Sequence, residues 1–340
     1  MENIYNYNYT NLENWLINIE EKKYRTKQIF EWLYTKRVNS FDMMKNMPNS
    51  LVAKLKENFS INTLKIVKKE EDIDVYKYLL ELPSKDYIEA VLMRHNYGYS
   101  ICLSTQVGCN MGCGFCESGK LKKINNLTLN QMIEPMLLIE NDLNIKISRV
   151  VLMGIGEPFD NYDNVMKFVH HINDYRVLNI GTRHITISTC GLVPKIKKFQ
   201  EENGQVNLAI SLHAANNETR NKLMPINKAY NIELLITTLK EYINATNRRV
   251  TFEYILLADI NDKTEDAIEL ANLLRGMNCY VNLIPYNTTS SIEYKRSTKE
   301  NIDNFYQTLI KKGINTTLRR EFGSKISGAC GQLSSKGGMK

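Results

Sequence analysis

Residues 100–116 read Ser100-Ile101-Cys102-Leu103-Ser104-Thr105-Gln106-Val107-Gly108-Cys109-Asn110-Met111-Gly112-Cys113-Gly114-Phe115-Cys116. The first six residues have the apolar, β-branched character of a strand, and three cysteines follow at once in the pattern C-x₃-C-x₂-C. A cubane iron–sulfur cluster ordinarily takes four thiolates, so three closely spaced ones leave one iron open for an exchangeable ligand. Gly108, Gly112 and Gly114 let the backbone wrap tightly and bring N–H groups near the sulfides. A structural zinc site would need a fourth Cys or His at close spacing. The next such residue is His170, more than fifty positions on. The segment therefore predicts a [4Fe–4S] cluster held by Cys109, Cys113 and Cys116, at the end of the first strand of a series.

That series sets the fold class. Strands are predicted at Ser100–Thr105, Arg149–Met153, His184–Ser188, Val206–Leu212, Arg249–Leu256 and Cys279–Pro285. Helices are predicted between and after them, at Leu127–Leu143, Asn161–Asn173, Val193–Glu202, Ile232–Ala245, Thr264–Arg275 and Thr298–Lys312. Six βα units in a row imply an α/β protein whose parallel sheet curls as an open, partial (β/α)6 barrel. In such sheets ligand chemistry gathers at the C-terminal ends of the strands. Residues 1–98 form a small accessory region, helices to about residue 60 and then short strands such as Tyr76–Leu82 and Tyr87–Met93. Residues 99–318 carry the barrel, and 319–340 form a C-terminal segment.

Bulk composition narrows the class. The 340 residues are 43% hydrophobic and 24% charged, ordinary for a globular chain. The N-terminus lacks a signal-peptide pattern and no apolar run is long enough to span a membrane, so a cytoplasmic, membrane-free protein is expected. Seven cysteines, three of them within eight residues, point to metal binding rather than a disulfide scaffold. The net charge of +7 is moderate. Basic residues cluster at Lys22, Lys23, Arg25 and Lys27, at Lys120, Lys122 and Lys123, and at Arg248–Arg249 and Arg319–Arg320.

A second element, Met153-Gly154-Ile155-Gly156-Glu157-Pro158, follows the second strand. Its backbone edge and the Glu157 carboxylate suit the ammonium of an amino-acid-like ligand. Three further residues read blandly by themselves. Cys102 is a thiol in an apolar strand, Glu89 in Tyr87-Ile88-Glu89-Ala90-Val91 is an exposed strand carboxylate, and His213 is a packed or hydrogen-bonded histidine. Cys330, flanked by alanine and glycine, is less easily dismissed. Cys190 and Cys279 have no motif around them and are expected in the core.

Together C-x₃-C-x₂-C and G-x-G-E resemble the radical S-adenosylmethionine (SAM) superfamily. Ser104–Cys116, Gly154–Pro158, Ser211-Leu212-His213-Ala214, Leu223-Met224-Pro225-Ile226-Asn227, Arg319–Gly323 and Ala329-Cys330-Gly331-Gln332-Leu333 resemble the RlmN/Cfr family, which methylates adenine carbons in RNA. The likeness runs from about Tyr24 to Leu333.

It implies one [4Fe–4S] cluster and two SAM molecules per turnover. SAM contacts would come from Gly156, Glu157, Ser188, Ser211, Leu212, His213 and Asn287. Cys330 would carry a methyl received from one SAM, Glu89 would be the base, and Cys102 the thiol that releases the product, leaving a Cys102–Cys330 disulfide. Gly-Glu-Pro at 156–158, Ile-Pro-Tyr-Asn at 284–287 and Arg-Arg-Glu-Phe at 319–322 resemble the C2-methylating branch rather than the C8 branch. The implied substrates are 23S rRNA at the peptidyl-transferase centre and tRNA beside the anticodon, contacted by the basic accessory region and by Arg319–Arg320 at phosphates. The implied electron source is an external one-electron reductant such as a flavodoxin, and the protein would be a monomer. Two positions depart from the family pattern: Glu117, where a small residue is commoner, and Gly328, where alanine is usual. Two alternatives remain, a Cfr-type C8 methyltransferase and a non-catalytic, zinc-stabilised RNA-binding module.

Overall fold

A computed structural model of the chain describes residues 1–202, 205–289, 291–319, 326, 328 and 331–333. Three strands, β1 (Lys65–Asp72), β2 (Val75–Glu81) and β3 (Tyr87–His95), pair antiparallel, and β3 pairs antiparallel with β4 (Gly98–Leu103). From β4 the sheet continues in parallel through β5 (Ile147–Leu152), β6 (Ile185–Thr189), β7 (Asn207–Ser211), β8 (Val250–Leu256), β9 (Cys279–Pro285) and β10 (Thr316–Leu318). Spatial order follows chain order across all ten strands, and among the described residues β1 and β10 do not meet. The barrel is open, as expected.

Six helices carry the crossovers: α4 (Leu129–Leu143), α5 (Tyr162–Asn173), α6 (Val193–Glu202), α8 (Ile232–Thr246), α9 (Thr264–Leu273) and α10 (Lys299–Lys311). Local chemistry sets their ends. Thr128 caps α4 in a capping box with Gln131, the Asn231 side chain accepts from Leu234 N at the start of α8, and Asn144 and Asn247 end α4 and α8 in the left-handed conformation. In the barrel's helix layer and main sheet, two elements escaped the sequence reading. A short helix, α7 (Asn217–Leu223), lies between β7 and α8, and β10 adds a seventh parallel strand. Both are too short to show a period.

The parallel strands alternate rather than reading as continuous apolar runs. Ile185, Ile187, Leu208, Ile210, Val250, Phe252, Val281 and Leu283 are buried in the main apolar core under the helices. Thr186, Ser188, Ser211, Thr251, Glu253 and Asn282 take the opposite face. Such polar residues in mid-sheet are tolerated only where that face lines a cavity instead of a packed layer. Residues 1–60 fold as helices α1 (Tyr9–Asn18), α2 (Tyr24–Phe30) and α3 (Asn49–Asn58) and share the main core with α4 and α5. Arg37 Nη1 reaches Glu140 Oε2 at 2.7 Å, and Tyr34 Oη lies 2.7 Å from His171 Nε2. Among the described residues, no helix is long and apolar enough to cross a membrane.

Candidate active site

The cysteine loop leaves β4 at the C-terminal end of the parallel strands. Its backbone is tied on both sides: Cys109 N donates to Leu121 O at 2.9 Å and Gly114 N to Leu223 O, the end of α7, at 2.9 Å. Gly108 has φ +72°, and a Cβ there would run into the carbonyl of Lys122. Only glycine lets the loop close on itself at that point. Cys109, Cys113 and Cys116 all line one open cleft of about 840 Å³, together with Gly156, Glu157, Ser188, Ser211 and His213. That volume is in the range of small-molecule sites. Burial pushes the Cys109 thiol up to about 12 and the Cys113 thiol higher still. A cation must therefore compete with protons for these sulfurs.

Glu157 is buried, and its side chain is fixed by the backbone. Oε1 accepts from Phe159 N at 2.9 Å and Oε2 from Cys190 N at 2.8 Å, while Glu157 N donates to Gln106 Oε1 at 2.9 Å. Burial raises its pKa and these donors oppose the rise. A carboxylate has about four lone-pair sites, so an incoming ammonium still finds acceptors here. Gly156 has φ +105°, and a Cβ would stand 2.6 Å from Gln106 Cβ. The Gly-Glu-Pro turn therefore presses against the start of the cysteine loop because position 156 has no side chain.

His213 also sits at positive φ, +58°. Its Nδ1 accepts from Ile255 N at 3.1 Å, which places the ring proton on Nε2. Burial, with Arg220 nearby, holds its pKa down to about 3, so the imidazole is neutral. The ring meets Phe115 edge-on at 4.7 Å. His213 is both packed and in the cleft. Leu212 is not in the cleft. It is fully buried in the main core, so only its backbone can serve a ligand. Asn287, two residues past β9, is buried and is not among the residues lining the cleft.

Glu89 is the largest departure from a plain reading of the sequence. It is completely buried rather than exposed, because β1 and β2 extend the sheet and make β3 an interior strand. Its Oε1 lies 2.8 Å from Lys77 Nζ. Register places Val91 opposite Cys102, so Glu89 and Cys102 share the lumen face of neighbouring strands. Cys102 packs in an apolar cluster with Val91, Met93, Ile155 and Leu333, against which Ile326 also rests. Cys330 and the expected Cys102–Cys330 disulfide lie outside the described residues, as do Arg320 and 321–323. Their neighbours do not. Gly331 lines the cleft with the three cysteines, Glu117 N donates to Gly331 O at 2.9 Å, and Ser118 Oγ to Leu333 O at 2.7 Å.

Four placements could not be read from the sequence. Cys190, expected in the core, is buried but also lines the cleft beside Glu157, whereas Cys279 is a core residue as expected. Arg220 of α7 is fully buried, donating to the carbonyls of Leu212, Cys190 and Ser211 and to Asn227 Oδ1. It ties together the chain just past β6 and β7. Arg319 is half-buried and lines the cleft, 3.8 Å from the buried Glu253 carboxylate. Arg248 and Arg249 stand at the N-terminal end of β8, the far end of the sheet from the cysteines. At the departure site Glu117, the half-buried side chain accepts from Ser291 Oγ at 2.6 Å, and Lys120 Nζ donates to the same hydroxyl. An ammonium therefore opposes the extra charge.

The donor set fits an iron–sulfur cluster. Cys109, Cys113 and Cys116 are three thiols on one loop, whereas Cys190 enters the cleft from just past β6 beside Glu157, and His213 Nδ1 already accepts from Ile255 N. His170 is on the exposed face of α5 and does not reach the cleft, and among the described residues no three His, Cys, Asp or Glu side chains are grouped to hold a single metal ion as a zinc site requires.

Residues 103–271 match the radical SAM superfamily, and residues 2–61 match the ribosomal RNA large subunit methyltransferase N-terminal domain. A curated protein of Enterococcus faecalis, a probable dual-specificity RNA methyltransferase RlmN, is 52% identical over 98% of this chain and 96% of its own length. The chain belongs to the RlmN family. A counterpart with the same description in Spiroplasma citri is also 52% identical, covering 99% and 98%, and one in Staphylococcus aureus is 49% identical, covering 98% and 93%. The crystal structure of a radical SAM methyltransferase from Sphaerobacter thermophilus superposes on this RlmN-family chain with a TM-score of 0.95 at 38% identity, over 98% of the chain and all of that structure. This RlmN-family protein is thus a radical SAM methyltransferase. Membership implies a [4Fe–4S] cluster and SAM, and it overturns the zinc-module alternative.

Proposed function

We propose that this enzyme methylates C2 of adenine in 23S rRNA at the peptidyl-transferase centre and in tRNA beside the anticodon, through a methyl carried on Cys330. The observation that carries this reading is the docking of Gly331 at the cysteine cleft and of Leu333 in the apolar cluster of Cys102. The C-terminal segment that includes Cys330 thereby meets both the cluster ligands and the thiol it would pair with.

An aromatic adenine carbon is neither nucleophilic nor readily deprotonated, so polar methyl transfer from a sulfonium has no workable path. When bound, one SAM would supply the methyl on Cys330, and the cluster with a second SAM would supply the radical that takes a hydrogen from it. Cys109, Cys113 and Cys116 hold the cluster. Glu157 binds the methionyl ammonium, and Gly156, Ser188, Ser211, His213, the Leu212 backbone and Asn287 serve the rest of SAM. Once the methylene is joined to C2 and the adduct has passed one electron back to the oxidised form of the external one-electron carrier, the Glu89 carboxylate takes the ring proton. The Cys102 sulfur then attacks that of Cys330. The S–S bond forms, the S–CH₂ bond breaks, and the methylene gains a proton to become the methyl.

A reductant such as a flavodoxin supplies electrons to a cytoplasmic, monomeric enzyme with one cluster. The target adenine is single-stranded or splayed, since a stacked base hides its ring.

Mass spectrometry of RNA from cells lacking the gene tests the reading. Loss of 2-methyladenosine is expected; loss of 8-methyladenosine would move the enzyme to the C8 branch. Cys330→Ala is expected to abolish methylation with iron content unchanged, and undiminished turnover would remove the carrier role.

A further inference from the structure

Lys77 has no part in the scheme above, yet it is buried against Glu89. Lys77 Nζ lies 2.8 Å from Glu89 Oε1, with side-chain exposures of 7% and 0%. In the β2–β3 register Leu79 faces Glu89 and Lys77 faces Val91, so Lys77 stands diagonally across from the carboxylate on the lumen face. Val91 in turn faces Cys102 on β4. The surroundings are apolar: Val75, Val91, Met93, Cys102 and Ile155 form one packed cluster.

Physical chemistry constrains what a carboxylate can do there. Removing it from water disfavours the charged form and drives it toward the neutral acid. A protonated Glu89 has no vacant basic site for a ring proton. An ammonium in contact acts in the opposite direction, favouring the carboxylate. Stability alone gives little reason for such a pair, since a buried ion pair is commonly no better than well-packed apolar residues of similar volume.

Among the described residues, the other charged or titratable side chains that β1 to β4 turn to this face include Asp72, whose Oδ1 accepts from Ile73 N at 2.9 Å. From β1, Glu70 lies opposite Lys77 but pairs with Lys68 at 2.9 Å, and Glu81 at the far end of β2 pairs with Lys85. On β3 itself His95 Nε2 lies 2.8 Å from Ser100 Oγ and Tyr87 is at the strand's start; on β4 the group is the Cys102 thiol.

We propose that Lys77 is a positioning residue for the methyl-transfer reaction, holding Glu89 as an oriented carboxylate so that it can accept the C2 proton. This rests on the reading of Glu89 as the base. In the step itself Glu89 gains one proton and becomes neutral, while Lys77 keeps its own and remains the cation.

Reconstituted enzyme with Lys77→Met, Lys77→Gln and Lys77→Arg, beside Glu89→Gln, supplies the test. At neutral pH Lys77→Met and Lys77→Gln are expected to lose about tenfold or more in methylation and to recover as pH rises, a tenfold change in the ionised fraction corresponding to about one pKa unit. Lys77→Arg is expected to retain most of the rate. Release of 5′-deoxyadenosine, which needs no base, is expected to persist in all three.

A second readout needs neither cluster nor turnover. The infrared difference between Lys77→Gln and Lys77→Gln/Glu89→Gln at neutral pH is expected to show a protonated-carboxyl C=O band, and the difference between wild type and Glu89→Gln none. An unchanged pH profile with no such band sinks the role of Lys77 even if Glu89→Gln is inactive. An active Glu89→Gln instead removes the base reading, and the proposal for Lys77 with it. The infrared result would then still report whether Lys77 sets the charge of Glu89.

Discussion

The backbone N–H of Glu117 donates to the carbonyl of Gly331 at 2.9 Å, so the cysteine loop directly holds the residue that follows Cys330. One residue further along, Ser118 Oγ donates to Leu333 O at 2.7 Å. Two consecutive loop residues thus grip the C-terminal segment from a part of the chain more than two hundred positions away.

Ser118→Ala removes the second of these bonds and leaves the thiols untouched. A net loss of about 1 kcal/mol in docking of the C-terminal segment is expected. Methylation should slow several-fold while iron and sulfide content stay at the wild-type level. A variant that loses iron in proportion to activity would assign Ser118 to cluster assembly instead.

Gly156→Ala forces a side chain into a backbone at φ +105°, 2.6 Å from Gln106 Cβ. The strain is expected to cost about 2 kcal/mol or more and to displace the turn that carries Glu157. Calorimetric titration should register weaker SAM binding and thermal melts a lower midpoint, whereas Gly181→Ala, with open space around it, should change neither.

Arg220 donates to three backbone carbonyls and to Asn227, and burial lowers its pKa only to about 10, so it stays charged at neutral pH. Arg220→Met leaves those buried carbonyls without a donor and is expected to destabilise the fold by about 3 kcal/mol or more. Arg220→Lys should recover only part of this, because a point-like ammonium cannot span the same acceptors. Denaturant unfolding measures both, and equal stability of the two variants would show that charge alone matters.

Burial lowers the His171 pKa to about 4 in the folded protein, against about 6.5 for an ordinary histidine. The folded imidazole resists protonation while the unfolded one accepts it, so this group's contribution is complete above about pH 6.5. It is lost as pH falls toward 4, by at most about 1.4 kcal/mol per pH unit. In His171→Gln that slope should vanish. Stability differences between wild type and variant at pH 7 and pH 4.5 isolate this effect, because His213 titrates alike in both chains. A constant difference would exclude the linkage.

The amino-acid sequence by itself determined the local periods and the close-range ligand pattern. Alternating strand and helix signals from Ser100 to Lys312 specified the six βα units, and C-x₃-C-x₂-C specified the metal-binding loop, because both depend on spacing along a few turns or residues. Even cap chemistry was local, as Thr128 with Gln131 shows. Tertiary structure decided everything that depends on which strands become neighbours. Glu89 reads as an exposed strand residue until β1 and β2 cover its strand; then it is buried, and Lys77, twelve residues earlier, becomes its partner. Cys190 and Arg220 carry no motif, and only the convergence of β6, β7 and α7 brings Cys190 to the cleft wall and Arg220 onto the carbonyls beside it. The Glu117–Gly331 contact joins residues whose separation no periodicity can encode. Hydrogen bonding and burial act through space, and the long-range strand order that sets them comes from packing the whole sheet at once.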